Sequence, residues 1–204
     1  MPARLPRLFF DRPAAEVARD LLGKVLAGRG EAGVLRGRIV EVEAYTGQSD
    51  PGSHAFRGAT PRNRVMFGPP GHLYVYFTYG MHFCVNVVTD PAGVAGAVLL
   101  RALQPMEGID LMRRRRGDRP DVELCNGPAK LCQAFGITRR QNGLDLEGED
   151  IWIEDDGFEI GDIAISTRVG LKEGRDLPLR FYLPGNPYVS HGKPSNSAAA
   201  TVQA

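Results

Sequence analysis

The chain has 204 residues, 43% hydrophobic and 24% charged, with 25 lysines and arginines against 24 acids and a formal net charge of +1. That length fits one large domain able to bury its own core, and that balance excludes a disordered chain. No apolar run reaches membrane-spanning length and the N-terminal MPARLPRLFFDRP lacks the apolar stretch of a signal peptide, so the cytoplasm is the expected compartment.

Residues 13–27, PAAEVARDLLGKVLA, carry Val17, Leu21 and Leu22 at helical spacing behind Pro13 and are predicted as a helix. Residues 34–45 are predicted as a half-buried strand, in which Val40, Val42 and Ala44 alternate with Ile39, Glu41, Glu43 and Tyr45. Residues 46–72 are rich in Gly, Pro, Ser and Asn, a long connection of the kind that carries function or moves. HLYVYFTYGMHFCVNVVTD reads as a hairpin with arms at 73–78 and 81–88 around Tyr79-Gly80. Tyr74 and Tyr76 share a face of its first arm, and His82, Cys84 and Asn86 a face of its second. VAGAVLLRALQP is a further strand, with Arg101 among apolar neighbours. Residues 106–116 form a short helix ending in four arginines, a favourable and solvated helix end. Asn126-Gly127-Pro128 opens another helix that runs to Phe135 and closes at Gly136. Strands are expected at 151–154, 160–167 and 179–183. The stretch 193–204, KPSNSAAATVQA, has no apolar periodicity and is expected to be an unstructured tail behind a single α+β domain at 1–192.

The second face of strand 34–45 is unusual, because two carboxylates and a phenol follow one another along it. It is either a solvated face or the floor of a site. Glu41 or Glu43 could act as a general base if partly buried, and spacing does not choose between them. Strand aromatics are mostly core. Tyr79, at a turn beside glycine, is exposed unless something receives it. DNA-deforming proteins insert such side chains between base pairs, and flat rings can sandwich a flipped purine.

Arg57, Arg62 and Arg64 in AFRGATPRNR could hold phosphates through their forked donors or simply form a solvated basic loop. From His54 to Arg116 eight arginines face only Asp90, Glu107 and Asp110, while residues 145–162 hold nine acids and no lysine or arginine. That asymmetry fits a polyanionic partner; equally, the two segments could neutralise each other. His54, His72 and His82 lack metal-ligand spacing, and His54 reads as a loop hydrogen-bond donor. Cys84, Cys125 and Cys132 form no CxxC pair and read as buried thiols. No phosphate-binding loop or nucleophile elbow occurs, and none of the four lysines lies in the aromatic and acidic cluster. No metal site is expected from His54, His72 and His82.

The blocks VEVEAYTG, SHAFRGATPRNRVMF, PPGHLYVYFTYGMHFCVNVV, VLLRALQPMEG and ELCNGPAKLCQAFGI, with the weaker RVG and PLRFYLPGNPYVS, resemble in order the alkylpurine (3-methyladenine) DNA glycosylase family of the mammalian type. The likeness runs from about residue 12 to about residue 190. It implies a single mixed domain with a curved, mostly antiparallel sheet, a hairpin, flanking helices and a basic DNA-facing surface. It also implies base-excision repair of double-stranded DNA, with hydrolysis of the N-glycosidic bond of 3-methyladenine, 7-methylguanine, hypoxanthine or ethenoadenine, without lyase activity, metal or cofactor. By the same resemblance Glu43 activates water and Glu41 is structural. Tyr45 and Tyr76 flank the flipped base, His54 hydrogen-bonds it, and Asn86 crowds the amino group of guanine. Arg101 lies near the water, and Tyr79 fills the gap in the duplex. The loop GQSDPGSHAFRG departs in detail from the family, which touches lesion preference. The sequence also starts close to its first expected helix, where the mammalian members carry a long N-terminal extension.

A monomer is the default expectation, nucleoid-associated if the source is bacterial. Three functions remain in play: a monofunctional glycosylase, a damage-binding module without turnover, and an enzyme acting on free nucleosides.

Overall fold

The apolar runs of the sequence become strands of one antiparallel sheet. The computed structural model describes residues 2–31, 33–78, 80–195 and 199–202, the last four as backbone. In chain order the elements are β1 (Ala3–Arg4), α1 (Arg7–Phe10), α2 (Ala14–Leu21), β2 (Val25–Gly30), β3 (Gly33–Tyr45), β4 (Leu73–Thr78), β5 (His82–Thr89), β6 (Gly96–Glu107), α3 (Ile109–Arg116), α4 (Asp121–Leu124), α5 (Pro128–Phe135), β7 (Ile151–Asp155), β8 (Ile163–Ser166), β9 (Arg180–Tyr182) and β10 (Ala199–Val202). The sheet runs β1-β7-β2-β3-β6-β5-β4, with β9 bridging β3 and β8. Every strand pairing among the described residues is antiparallel. The α+β class expected from the sequence is the class observed.

The predicted helix at 13–27 ends early. Ala14, Val17, Ala18 and Leu21 bury one face, but Leu22 is extended and Gly23 has φ +80°. That left-handed turn suits glycine. It reverses the chain, so that Val25–Gly30 pairs with both β3 and β7. Apolar spacing cannot tell a helical turn from the start of a buried strand. Ala199–Val202, inside the stretch expected to be unstructured, lies antiparallel along β8.

β3 is the spine of the site. Its first half pairs with β2 and its second half with β9, while β6 follows it along the other edge. The half-buried reading of this strand was incomplete, because residues 39–44 are all buried. The register between β3 and β6 skips Val40 on one strand and Arg101 on the other. Such bulges break the two-residue period and re-aim side chains. Ile39, expected on the carboxylate face, therefore joins Val40, Val42 and Ala44 in the main core. A smaller cluster of Ala55, Met66, Tyr74, Val88, Ala95 and Ala97 anchors the long connection after β3 onto the sheet.

Among the described residues, six of the nine acids at 145–162 form ion pairs, none of them with the arginine-rich loop. Arg7 pairs with Asp145 and Glu147, Arg29 with Glu149, Arg36 with Glu154, Lys24 with Asp155 and Arg38 with Asp156. The arginines ending α3 are less solvated than expected. Arg113 pairs with Asp110 and Asp121, while Arg115 and Arg116 donate to backbone carbonyls of α5 and α4.

Candidate active site

The bulges at Val40 and Arg101 bring one guanidinium against two carboxylates. Arg101 Nε donates to Glu41 Oε1 at 2.7 Å, and its Nη1 lies 3.2 Å from Glu43 Oε1. Both glutamates have 0% exposure, and Arg101 has 6%. Removing charges from water is costly unless partners replace it, and the two carboxylates are compensated differently.

Glu41 is saturated. Its oxygens also accept from Arg180 Nε at 2.8 Å, Ser190 Oγ at 2.9 Å and the Ser190 backbone N–H at 2.7 Å. Burial opposes ionisation of Glu41, but Arg101, Arg180 and the Ser190 N–H together hold its carboxyl below its ordinary value. Glu43 has lighter partners. Its Oε1 accepts from the Val169 N–H at 2.7 Å, and its Oε2 accepts from the Tyr45 hydroxyl at 2.9 Å. A general base at Glu43 would need at least partial burial, against the alternative of a solvated side chain; Glu43 is fully buried, because β6, β9 and the chain at Val169 close around it.

Above this floor lies a narrow pocket of about 70 Å³ lined by Tyr45, Gly52, His54, Met66, Tyr74, Tyr76, Asn86 and Leu171. That space is worth about two waters. Tyr45 connects the two levels, with its ring in the pocket wall and its hydroxyl on Glu43. Burial, and then the charge of Glu43, push the Tyr45 hydroxyl well above its ordinary value, so it stays a donor.

The hairpin supplies the opposite wall. β4–β5 pairing sets Tyr74 across from Asn86 and Tyr76 across from Cys84. The Asn86 amide donates to the Tyr74 carbonyl at 3.0 Å, which fixes its orientation. His54 packs edge-on against Tyr76 with ring centroids 4.5 Å apart, and its Nδ1 shares a 3.0 Å hydrogen bond with the Tyr74 hydroxyl. His54 stays exposed at the pocket mouth, yet desolvation of its ring against Tyr74 and Tyr76, with the nearby charge of Arg62, lowers its pKa and favours the neutral ring. The sequence-derived candidates Glu43, Tyr45, His54, Tyr76, Asn86 and Arg101 thus come together. Tyr79 lies outside the described residues; Gly80 beside it has φ +68°, and the Met81 N–H donates to the Thr78 carbonyl at 3.3 Å.

Arg57, Arg62 and Arg64 are exposed on the segment between two pocket residues, His54 and Met66. Among the described residues none of the three forms an ion pair, and Arg62 lies 5.5 Å from the Tyr76 ring centroid. Asn63 holds this loop in shape. Its amide donates to the His54 and Gly58 carbonyls at 2.8 and 3.0 Å, and its oxygen accepts from Thr60. No group of three or more His, Cys, Asp or Glu residues among those described is arranged to hold a metal ion.

Several contributors escaped the sequence reading: Arg180, Ser190, Val169 and the buried pair Asp50–Arg168. An arginine in a short apolar strand, LRFY, was a usable signal for Arg180. A backbone N–H such as that of Val169 leaves none.

A profile of methylpurine-DNA glycosylases (MPG) matches residues 8–187. A protein of Burkholderia lata named "Putative 3-methyladenine DNA glycosylase" is 54% identical over 192 residues, covering 92% of this chain and 91% of that protein. Identically named proteins of Carboxydothermus hydrogenoformans and Methanoculleus marisnigri are 52% and 50% identical, each covering 91% of this chain and 98% of its own length.

Proposed function

The chain belongs to the methylpurine-DNA glycosylase family, and from that premise we propose that it removes alkylated or deaminated purines from double-stranded DNA by hydrolysis. The reading covers 3-methyladenine, 7-methylguanine, hypoxanthine and ethenoadenine. The observation that carries it is the stacked arrangement of Glu43, bound to Arg101, beneath a pocket walled by Tyr45, Tyr76, His54 and Asn86.

A base within a duplex must be rotated out before it is reached, and unstacking costs a few kcal/mol. Tyr79 fills the vacated gap and offsets part of that cost. Arg57, Arg62 and Arg64 hold phosphates beside the pocket. The base enters between Tyr45 and the Tyr76–His54 wall, with Asn86 excluding the amino group of guanine. The free pocket is small, so Leu171 and the neighbouring rings move as the base enters.

Glu43 then needs a water. Its Oε2 carries the Tyr45 hydroxyl in the free protein, so the water takes that place when the base shifts the ring. The water oxygen attacks C1′ as Glu43 accepts its proton. The glycosidic bond breaks with its electron pair passing to the purine, leaving free base and an abasic site. A cationic methylated purine departs neutral; a neutral lesion must also gain a proton. Arg101 orients Glu43 through its Nη1, while Arg180 and Ser190 hold Glu41 in place to orient Arg101.

The enzyme is proposed to act as a cytoplasmic monomer without lyase activity. No helix among the described residues is long and apolar enough to cross a membrane. The test is a duplex carrying one ethenoadenine or hypoxanthine, followed by alkaline cleavage of abasic sites. Base release by wild type and its loss in Glu43→Gln are expected. Tight lesion binding without release would favour a damage-binding module instead. Strand nicking without alkali would overturn the monofunctional assignment.

A further inference from the structure

Behind Tyr45 lies a second buried ion pair that the proposed chemistry does not use. Arg168 and Asp50 both have 0% exposure. They meet through two bonds, Nη1 to Oδ2 at 2.5 Å and Nη2 to Oδ1 at 2.7 Å. The same guanidinium donates to the Ala44 carbonyl at 3.0 Å and the Gly174 carbonyl at 3.1 Å. Its Nε is buried and has no hydrogen-bond partner among the described residues.

Its position gives the pair meaning. The guanidinium carbon lies 4.6 Å from the centroid of the Tyr45 ring. The main chain of Arg168 leads into Val169, whose N–H holds Glu43 at 2.7 Å. Its carbonyl is pinned by the Ser195 N–H at 2.9 Å and hydroxyl at 2.6 Å. Two glycines make room for the guanidinium. A Cβ on Gly52 would sit 2.8 Å from Arg168 Nη2, and one on Gly174 would sit 3.0 Å from it. An ion pair sealed from water contributes little to stability compared with apolar filling, whereas a planar fork fixes direction.

We propose that Arg168, locked by Asp50, is a positioning residue that sets the plane of Tyr45 through its side chain and the aim of Glu43 through its main chain. One residue thereby registers base stacking against water activation. The inference rests on the base-excision reading above.

The experiment is a double-mutant cycle on the full chain, using a duplex with one ethenoadenine. Single-turnover base release and affinity for undamaged duplex are measured for wild type, Arg168→Lys, Tyr45→Ala and the double variant, at a temperature where all remain folded. Lysine keeps the charge and loses the fork. Release by Arg168→Lys should fall about 10- to 100-fold, the scale of a small misplacement of reacting groups, with affinity for undamaged duplex unchanged. The loss should be smaller in the Tyr45→Ala background, because coupled residues are not additive. A wild-type release rate in Arg168→Lys, or losses that multiply independently, would overturn the proposal. Should Arg168→Lys not fold, Asp50→Asn carries the same cycle; collapse of both variants would mark the pair as purely structural and overturn it too. Failure of wild type to release base would remove the reaction itself and this inference with it, an outcome read before any variant.

Discussion

Glu41 and Glu43 share one arginine, Arg101, at 2.7 and 3.2 Å, yet only Glu43 is tied to a residue of the pocket wall, through the Tyr45 hydroxyl. Two carboxylates that look interchangeable in VEVEAY are thereby separated into a saturated anchor and a reactive candidate.

Glu43→Gln should lower single-turnover base release by about 10²–10⁴-fold, the usual contribution of a positioned general base. Binding to lesion-containing duplex should persist, because the amide keeps the shape of the floor. Release rates and gel-shift affinities measured on one preparation check this; equal release in variant and wild type would remove Glu43 as the base.

Glu41→Gln should act first on stability. It leaves Arg101 and Arg180 buried with a weaker acceptor, and breaking a buried pair typically costs about 3–5 kcal/mol. The sign of the pH dependence follows from the lowered Glu41 pKa. Its stabilisation is complete above the ordinary value of 4.5 and is lost as pH falls through the lower folded value. Urea melts between neutral and acid pH should show that slope in wild type and a flatter one in the variant.

His54 gives a second pH signature. Its folded pKa lies below the ordinary 6.5, so the unfolded chain binds its proton first. Stability is complete above 6.5 and falls as pH drops from there toward the lower folded value. His54→Gln should flatten the melting temperature across this window; an unchanged slope would mean another group is responsible.

Tyr45→Ala should weaken binding of the flipped lesion by about 1–3 kcal/mol, the range for loss of one base–aromatic stack. Tyr45→Phe should retain that affinity while losing the hydrogen bond from the hydroxyl to Glu43. Competition binding with a non-cleavable lesion analogue separates the two.

Replacing Arg57, Arg62 and Arg64 by alanine, singly, should each reduce the salt slope of DNA binding by about 0.9 for every phosphate that is no longer neutralised. Affinity titrations over a range of salt would show it. A slope identical to wild type at all three positions would move the DNA surface elsewhere.

The sequence by itself determined much of this protein. Alternation located the hairpin that pairs Tyr76 with Cys84 and Tyr74 with Asn86, and Pro128 and Gly136 bounded a helix, because these signals are local. The EAY and LYVYFTYGMHFC blocks pointed to the family. Local pattern failed at Gly23, where one left-handed residue turned an expected helix into a strand, and at Val40, where a bulge broke the period. The tertiary structure alone decided which glutamate faces the pocket wall. That choice depends on Arg101, Arg180, Ser190 and Val169, which lie between 58 and 149 residues away along the chain from the carboxylates they hold. Spacing within a strand records which face a side chain takes; it carries no record of the charges that folding brings to meet it.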